Sequence, residues 1–359
     1  MALFSHLDYH GYGELHVASD HETGMRSLIA IHDTRLGPAL GGCRFVTYGG
    51  WEQAMVDALR LGRGMTSKAA LAGLPLGGGK SVIWKPEGME SRLSPGTPLR
   101  RRLFQAFGRA VESLGGRYIT AEDSGTNPED MIDIASATSH VVGQPEANGG
   151  VGDPSPYTAR GVRRGIEAVA KEVLGRDSLE GVHVAIQGVG HVGFSLAKEL
   201  AEAGCRLTVA DIAFNRIKLC QEEISTRIEI ADIFGILDVE CDILAPCALG
   251  GVISGDNVSR LRCKAVAGAA NNQLADSAVD QALHRRGIFW APDYAINAAG
   301  LIWVAQTACG LTQKDALAKI DGIRGTIEAV ARRSQSEKIA PGKLADQMVE
   351  ERLQAASRV

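Results

Sequence analysis

The run from residue 182 to residue 211, VHVAIQGVGHVGFSLAKELAEAGCRLTVAD, restricts the fold of this chain more than any other. A short apolar strand, HVAIQ, leads directly into Gly188, Gly190 and Gly193 at G-x-G-x-x-G spacing. A helical pattern follows, and then a second strand, RLTVAD, that ends in Asp211. This order predicts a βαβ unit of the dinucleotide-binding kind. Gly188 permits the tight turn, Gly190 lets backbone approach a pyrophosphate, and Gly193 lets the helix pack close to the strand. The loop Gly188, Val189, Gly190, His191, Val192, Gly193 would then hold a diphosphate at the positive end of the helix. Asp211 can accept hydrogen bonds from an adenosine ribose and would repel a 2′-phosphate, which favours NAD over NADP. The fold class is therefore α/β, with a Rossmann NAD-binding domain over about residues 145–330. The glycine- and proline-rich stretch GQPEANGGVGDPSPYT (143–158) marks the boundary with a first domain, 1–144.

Composition removes several classes of function. A chain of 359 residues with 45% hydrophobic content can build two cores. A net charge of −4, from 38 basic and 42 acidic residues, supplies no basic field for nucleic acid or an anionic membrane. No stretch approaches the roughly 18 unbroken apolar residues of a membrane helix. The start, MALFSHLDYHGYG, has no leader pattern, so a soluble, cytoplasmic protein is expected. Seven cysteines stand singly and nine histidines form no H-E-x-x-H, so neither disulfides nor a metal site is expected.

The first domain reads as a strand at 27–32, a helix at 51–65, and a strand KSVIWK after the segment GMTSKAALAGLPLGGGKSVI (64–83). A loop at 86–98 follows. Thr97 and Pro98 then open a helix with an apolar face of Leu99, Leu103, Phe107, Ala110, Val111 and Leu114. Arg100, Arg101 and Arg102 on its first turn read as solvated surface. A strand, GRYIT, runs into the sharp turn AEDSGT. Within 64–83, Lys68 and Lys80 lie among glycines and small apolar residues. GGGKS invites a phosphate-loop reading, but G-x-x-x-x-G-K-[ST] needs glycine where this chain has Leu74. A surface position is the usual fate of lysine. The uncharged flanks instead suit two semi-buried cations, each able to hold an anion or to give up its proton.

Seven segments carry a resemblance across nearly the whole chain: LGPALGGCRF, GMTSKAALAGLPLGGGKSVI, GRYITAEDSGT, AIQGVGHVG, DILAPCALGGVI, VAGAANNQL and GIFWAPDYAINAAGLI. They resemble the amino-acid dehydrogenase superfamily, in its leucine, valine and phenylalanine branch. The resemblance implies an amino-terminal α/β domain for substrate binding and oligomerisation, an NAD-binding domain, and a cleft between them. A carboxy-terminal helical segment, about 331–359, would return to the first domain, and the molecule would be a homo-oligomer.

Residue by residue, Lys68 resembles the lysine that binds the substrate carboxylate, Lys80 the lysine that polarises the reacting oxygen or water, and Asp123 the acid–base residue. Gly41, Gly42 and Met65 resemble cleft residues, Thr158 and Asn271 cofactor contacts, and Asn297 a group near nicotinamide and substrate. Leu40, Ala121, Leu301 and Val304 would surround the substrate side chain. The sequence departs from the family's usual pattern at Ser67, Ser124, Ala299, which replaces a turn glycine, and Trp303. The implied activity is reversible oxidation of an apolar L-amino acid to a 2-oxo acid and ammonia. Aromatic substrates rival branched aliphatic ones, and a non-catalytic nucleotide sensor is the alternative from another class. Retention of Lys68, Lys80 and Asp123 argues against the sensor.

Overall fold

The computed structural model describes residues 5–7, 11–224 and 227–357. The chain forms two compact units. One comprises the described residues of Met1–Gly152, Val304–Gln313 and Arg352–Val359, the other Asp153–Trp303 and Lys314–Glu351.

In the first unit, β1 (Glu14–Asp20), β2 (Met25–Asp33), β3 (Ala39–Val46), β4 (Gly77–Trp84) and β5 (Tyr118–Glu122) form a mixed sheet in the order β1-β2-β4-β3-β5. Strand β3 lies parallel to both β4 and β5, and β2 runs antiparallel to β1 and β4. Helix α1 (Trp51–Leu71) covers one face through Ala54, Met55, Ala58 and Leu59, which pack with Ala30 and Val82. Helices α2 (Pro98–Glu112) and α3 (Pro128–Ala135) cover the other, where Phe45, Ile83, Leu103, Phe104, Phe107, Tyr118 and Ile134 form the main core.

Two sequence expectations change here. The helix expected to stop at residue 65 continues to Leu71, so Met65 and Lys68 are helical. Gly62 inside it leaves room for the Tyr12 hydroxyl, which a Cβ there would strike, and lets the helix lie close to the Gly79–Lys80 backbone. The helix ends only at Gly73, whose φ of 64° suits glycine; the Gly73 amide donates to the Ala70 carbonyl and that of Leu74 to Ala69, the double closure of a Schellman turn. The arginine triplet is not uniformly solvated. Arg101 and Arg102 are exposed, but Arg100 is buried and donates from Nε and Nη2 to the two oxygens of Asp130 at 2.7 and 2.6 Å.

In the second unit, β6 (His183–Gln187), β7 (Arg206–Ala210), β8 (Ile228–Ile230), β9 (Ile243–Pro246), β10 (Ala265–Val266) and β11 (Phe289–Trp290) form an all-parallel sheet in the order β11-β10-β9-β6-β7-β8. This is the doubly wound order, in which chain direction across the sheet reverses between β6 and β9. Helices α4 (Ser155–Glu172) and α5 (His191–Glu202) pack together beside it.

The carboxy-terminal segment does not return as a whole to the first unit. Lys314–Glu351 belongs to the second, and only the chain from Arg352 rejoins the first. The reason is local packing. Helix Ile323–Glu337 buries Ile323, Ile327, Val330 and Ala331 and packs along α4, with Arg332 bonded to Glu172 at 2.6 Å. Further on, the Gly342 amide donates to buried Asp280, and the Tyr294 hydroxyl donates to Asp346 at 2.8 Å. Arg352, by contrast, bonds the Ala70 carbonyl at the end of α1.

Candidate active site

Strand order explains how Lys80 and Asp123 meet. Lys80 sits in β4 and Asp123 directly follows β5, and β3 runs between those two strands. At the crossing point β3 carries Gly42. A Cβ there would lie 2.7 Å from the Glu122 carbonyl oxygen and 2.8 Å from Asp123 Cβ, so any side chain would push the acid away. Without one, Lys80 and Asp123 form a direct ion pair. Neighbouring Gly41 is equally confined, against the Gly79 carbonyl.

The Lys80 side chain is 8% exposed and that of Asp123 18%, so water screens the pair poorly. Burial pushes the Asp123 carboxyl up, but the charges of Lys80 and Arg44 outweigh it and hold the carboxyl below the ordinary carboxylate range. The Ser124 amide donates to its other oxygen at 2.7 Å. Asp123 is therefore an anion across the neutral range. GGGKS lies in a strand, so it cannot form a phosphate loop.

Lys68 occupies the last turn of α1, and Met65 lies one turn earlier; both are partly buried. Leu40 is 2% exposed and Ala121 8%, so both offer apolar surface alone.

In the second unit, Gly188 takes a φ of 91° at the end of β6, and Gly190 caps α5. Gly193 touches the Gly188 carbonyl so closely that no side chain fits. Val189 is buried, Val192 partly buried and His191 exposed. Asp211 follows β7, and its carboxylate accepts from the amides of Val189 and Ala213, both at 2.8 Å. That ties the glycine loop to the acid, whose side chain is 4% exposed. Arg216 Nη1 lies 3.8 Å from the same carboxylate.

Two further groupings form in this unit. Asn297, 4% exposed, donates to the Ala269 carbonyl at 3.0 Å and to Asn271 Oδ1 at 2.9 Å, and its own Oδ1 is buried without a partner. Thr158, on the first turn of α4, faces Gly300, where a Cβ would lie 2.7 Å from Thr158 Oγ1. Leu301 is buried and Val304 half-buried in helix Ala299–Val304. Ala299 opens that helix; among the described residues, the non-glycine residues with positive φ are Asn272 and Lys338, so the alanine causes no backbone strain. Gly161 makes room for its methyl group. Buried Trp303 stacks on Tyr157 with centroids 3.3 Å apart.

Residues 13–140 match the family model described as Glu/Leu/Phe/Val dehydrogenase, dimerisation domain, and residues 213–310 match the glutamate/leucine/phenylalanine/valine dehydrogenase model. The leucine dehydrogenase of Bacillus subtilis (strain 168) is 46% identical over 358 residues, covering 100% of this chain and 96% of that one. The chain belongs to the Glu/Leu/Phe/Val dehydrogenase family. The phenylalanine dehydrogenase of Bacillus thermotolerans is 42% identical over 343 residues, 95% of this chain and 88% of the relative. The crystal structure of L-tryptophan dehydrogenase from Nostoc punctiforme superimposes with a TM-score of 0.85 at 34% identity, covering 99% of this chain and 100% of the other. This amino-acid dehydrogenase is an oxidoreductase of a family that uses nicotinamide nucleotides.

Sequence reasoning overlooked one neighbour of the Lys80–Asp123 pair. Arg44 lies beside Asp123 and reaches back to Asp57 on α1. The available signal was a lone arginine in the otherwise apolar strand ALGGCRFV.

Proposed function

We propose that this dehydrogenase catalyses the reversible, NAD-dependent oxidative deamination of a branched-chain aliphatic L-amino acid (leucine, valine or isoleucine) to its 2-oxo acid, ammonia and NADH. The Lys80–Asp123 pair, in which the lysine is buried and the acid largely so, carries this reading, since a proton donor and a proton acceptor lie side by side. The leucine dehydrogenases that match at 43–46% identity support the substrate class.

The second unit suits a dinucleotide. The left-handed turn at Gly188, the side-chain-free approach at Gly193 and the carboxylate at the end of β7 form the cradle expected for a pyrophosphate and a ribose. Gly188 to Gly193 would hold the diphosphate, Asp211 the ribose, Thr158 and Asn271 would be further cofactor contacts, and Asn297 would lie near nicotinamide and substrate. Bound NAD supplies the hydride acceptor.

The ammonium of Lys68 would anchor the substrate carboxylate and fix the orientation of the α-carbon. Lys80 would hold the attacking water and donate to the oxygen as negative charge develops there. Asp123, ionised before reaction, would accept a proton from the substrate nitrogen and return one to it. Leu40 and Ala121 of the first unit are both buried and apolar. A glutamate side chain against them would lose its hydration without a partner, at a cost of several kcal/mol. Leu301 stands where the family often has valine or alanine, which favours aliphatic over aromatic side chains. The first-unit match to a dimerisation domain supports a homo-oligomer.

Catalytic efficiencies for L-leucine, L-valine, L-isoleucine and L-phenylalanine, each with NAD and with NADP, test the assignment. Several aliphatic substrates should be accepted together, because one methylene is worth only about 1–3 kcal/mol of discrimination. A preference of about tenfold or more for phenylalanine would overturn the substrate class. Equal efficiency with both cofactors would overturn the role of Asp211.

A further inference from the structure

Four side chains of the first unit form a line that ends on Asp123. The Tyr48 hydroxyl donates to Asp57 Oδ2 at 2.7 Å, and Arg44 Nη1 donates to the same oxygen at 2.7 Å. Arg60 Nη2 lies 3.3 Å from the other oxygen of Asp57. The far side of the Arg44 guanidinium faces the acid, with Nε 3.4 Å from Asp123 Oδ2. That Nε is buried and makes no hydrogen bond, and it faces the Asp123 carboxylate.

The arrangement follows from the sheet. Parallel pairing sets Cys43 of β3 opposite Glu122 of β5, so Arg44, one residue further, comes level with Asp123. Asp57 on the second turn of α1 then holds the guanidinium from the helix side. Arg44 and Asp57 are each about four-fifths buried, at 22% and 18% side-chain exposure, so the contact is less screened than a surface pair.

We propose that Arg44, braced by Asp57 and Tyr48, is a positioning residue that fixes the Asp123 carboxylate beside Lys80 in its proton-accepting state. Lys80 alone would leave the acid free to rotate away when the ammonium turns toward substrate. Arg44 supplies a second, permanent cation that does not take part in the chemistry. Arginine is suited to this because its planar fork bonds Asp57 with one nitrogen and faces Asp123 with another, and it stays charged at all working pH values. The groups that face Asp123 are Lys80 from β4 and Arg44 from β3, with the Tyr118 hydroxyl and the Cys43 thiol deeper in the sheet. Both deeper groups are fully buried and neutral. Lys80 and Arg44 are thus the cations that keep the acid ionised. The inference rests on Asp123 being the acid–base residue.

The test is the pH profile of kcat/KM for amino-acid oxidation by the full-length Arg44→Met, Arg44→Gln and Arg44→Lys enzymes, with Asp123→Asn measured alongside. Loss of the cation raises the proton affinity of Asp123, so the acid limb of the Met and Gln profiles should move to higher pH. The activity loss at about pH 4 should then exceed that at about pH 8 by about threefold or more. Arg44→Lys, which keeps the charge but not the fork, should return the limb toward its original position with a lower plateau. NAD affinity should be unchanged in all three. Gln retains a hydrogen-bonding group for Asp57 and serves as the readout should the Met protein fail to fold. A uniform loss with an unmoved acid limb, while Asp123→Asn is inactive, would overturn the role of Arg44 alone. Near-normal turnover by Asp123→Asn would overturn the acid–base reading and this inference with it.

Discussion

Gly42 shows how an absent side chain can decide which charges meet. Lys80 and Asp123 stand on strands that flank β3, and only a residue without Cβ lets them touch across it. Lys80→Ala removes the proposed donor while leaving the glycine loop of the second unit intact. Turnover should fall by about 10²–10³, the effect of deleting one oxyanion donor, equivalent to about 2.7–4 kcal/mol. Cofactor affinity, followed by fluorescence titration, should stay at the wild-type level. A folded mutant that kept near wild-type kcat would show that Lys80 is not in the reacting centre.

Helices α2 and α3 are joined by a buried ion pair rather than by apolar contact alone. Arg100 takes both oxygens of Asp130, donates to the carbonyls of Leu93 and Gly125, and stacks its guanidinium 5.2 Å from the Phe45 and Phe104 ring centres. Asp130 also completes the capping box of α3 with Asn127, so one carboxylate fixes the start of that helix and ties it to α2. Breaking such a pair leaves a buried charge uncompensated, and Arg100→Leu should lower stability by about 3–5 kcal/mol in urea unfolding. Replacing both residues with leucine should recover part of the loss. If the single substitution were neutral, Arg100 would be a surface arginine, as its position in a basic triplet first indicates.

The second unit is closed by contacts between distant parts of the chain. Asp321 accepts from Arg160 Nε and Nη2 at 2.9 and 2.8 Å and from Arg164 Nε at 2.9 Å, joining the first half of α4 to the chain just before helix Ile323–Glu337. The Arg160 hydrogen bonds, with those of Arg164, hold its carboxyl down at about 2. A carboxyl lowered by folding stabilises the native state above its unfolded value, and that contribution disappears as pH falls through the folded value. Asp321→Asn should therefore be less stable than wild type at neutral pH. The difference should close as pH falls from about 4 toward about 2. The groups are partly exposed, so the gap should be about 1 kcal/mol or less and should shrink in high salt. A gap that is the same in neutral and acid urea titrations would rule out the ion pair as its source.

Local constraints in the chain were enough to identify the βαβ unit. HVAIQ coincides with β6, Gly188 adopts the positive φ that its place requires, and Asp211 closes the next strand. These properties depend on backbone freedom and short-range packing, which a few neighbouring residues specify. Lys68, Lys80 and Asp123 also stood out as candidates, but through unusual composition and family resemblance. That Lys80 and Asp123 pair is a property of strand order, which brings β4 and β5 to either side of β3. Arg44 and Arg100 could not be read as buried, because a basic residue in a strand or on a first helical turn looks the same whichever way it faces. Their partners, Asp123 and Asp130, lie far along the chain. The same limit applies to helix Ile323–Glu337, which stays with α4 because its apolar stripe finds that surface. Sequence fixes what a residue can do within its own turn or strand; which distant charge or apolar face it meets is decided only when the sheets are assembled.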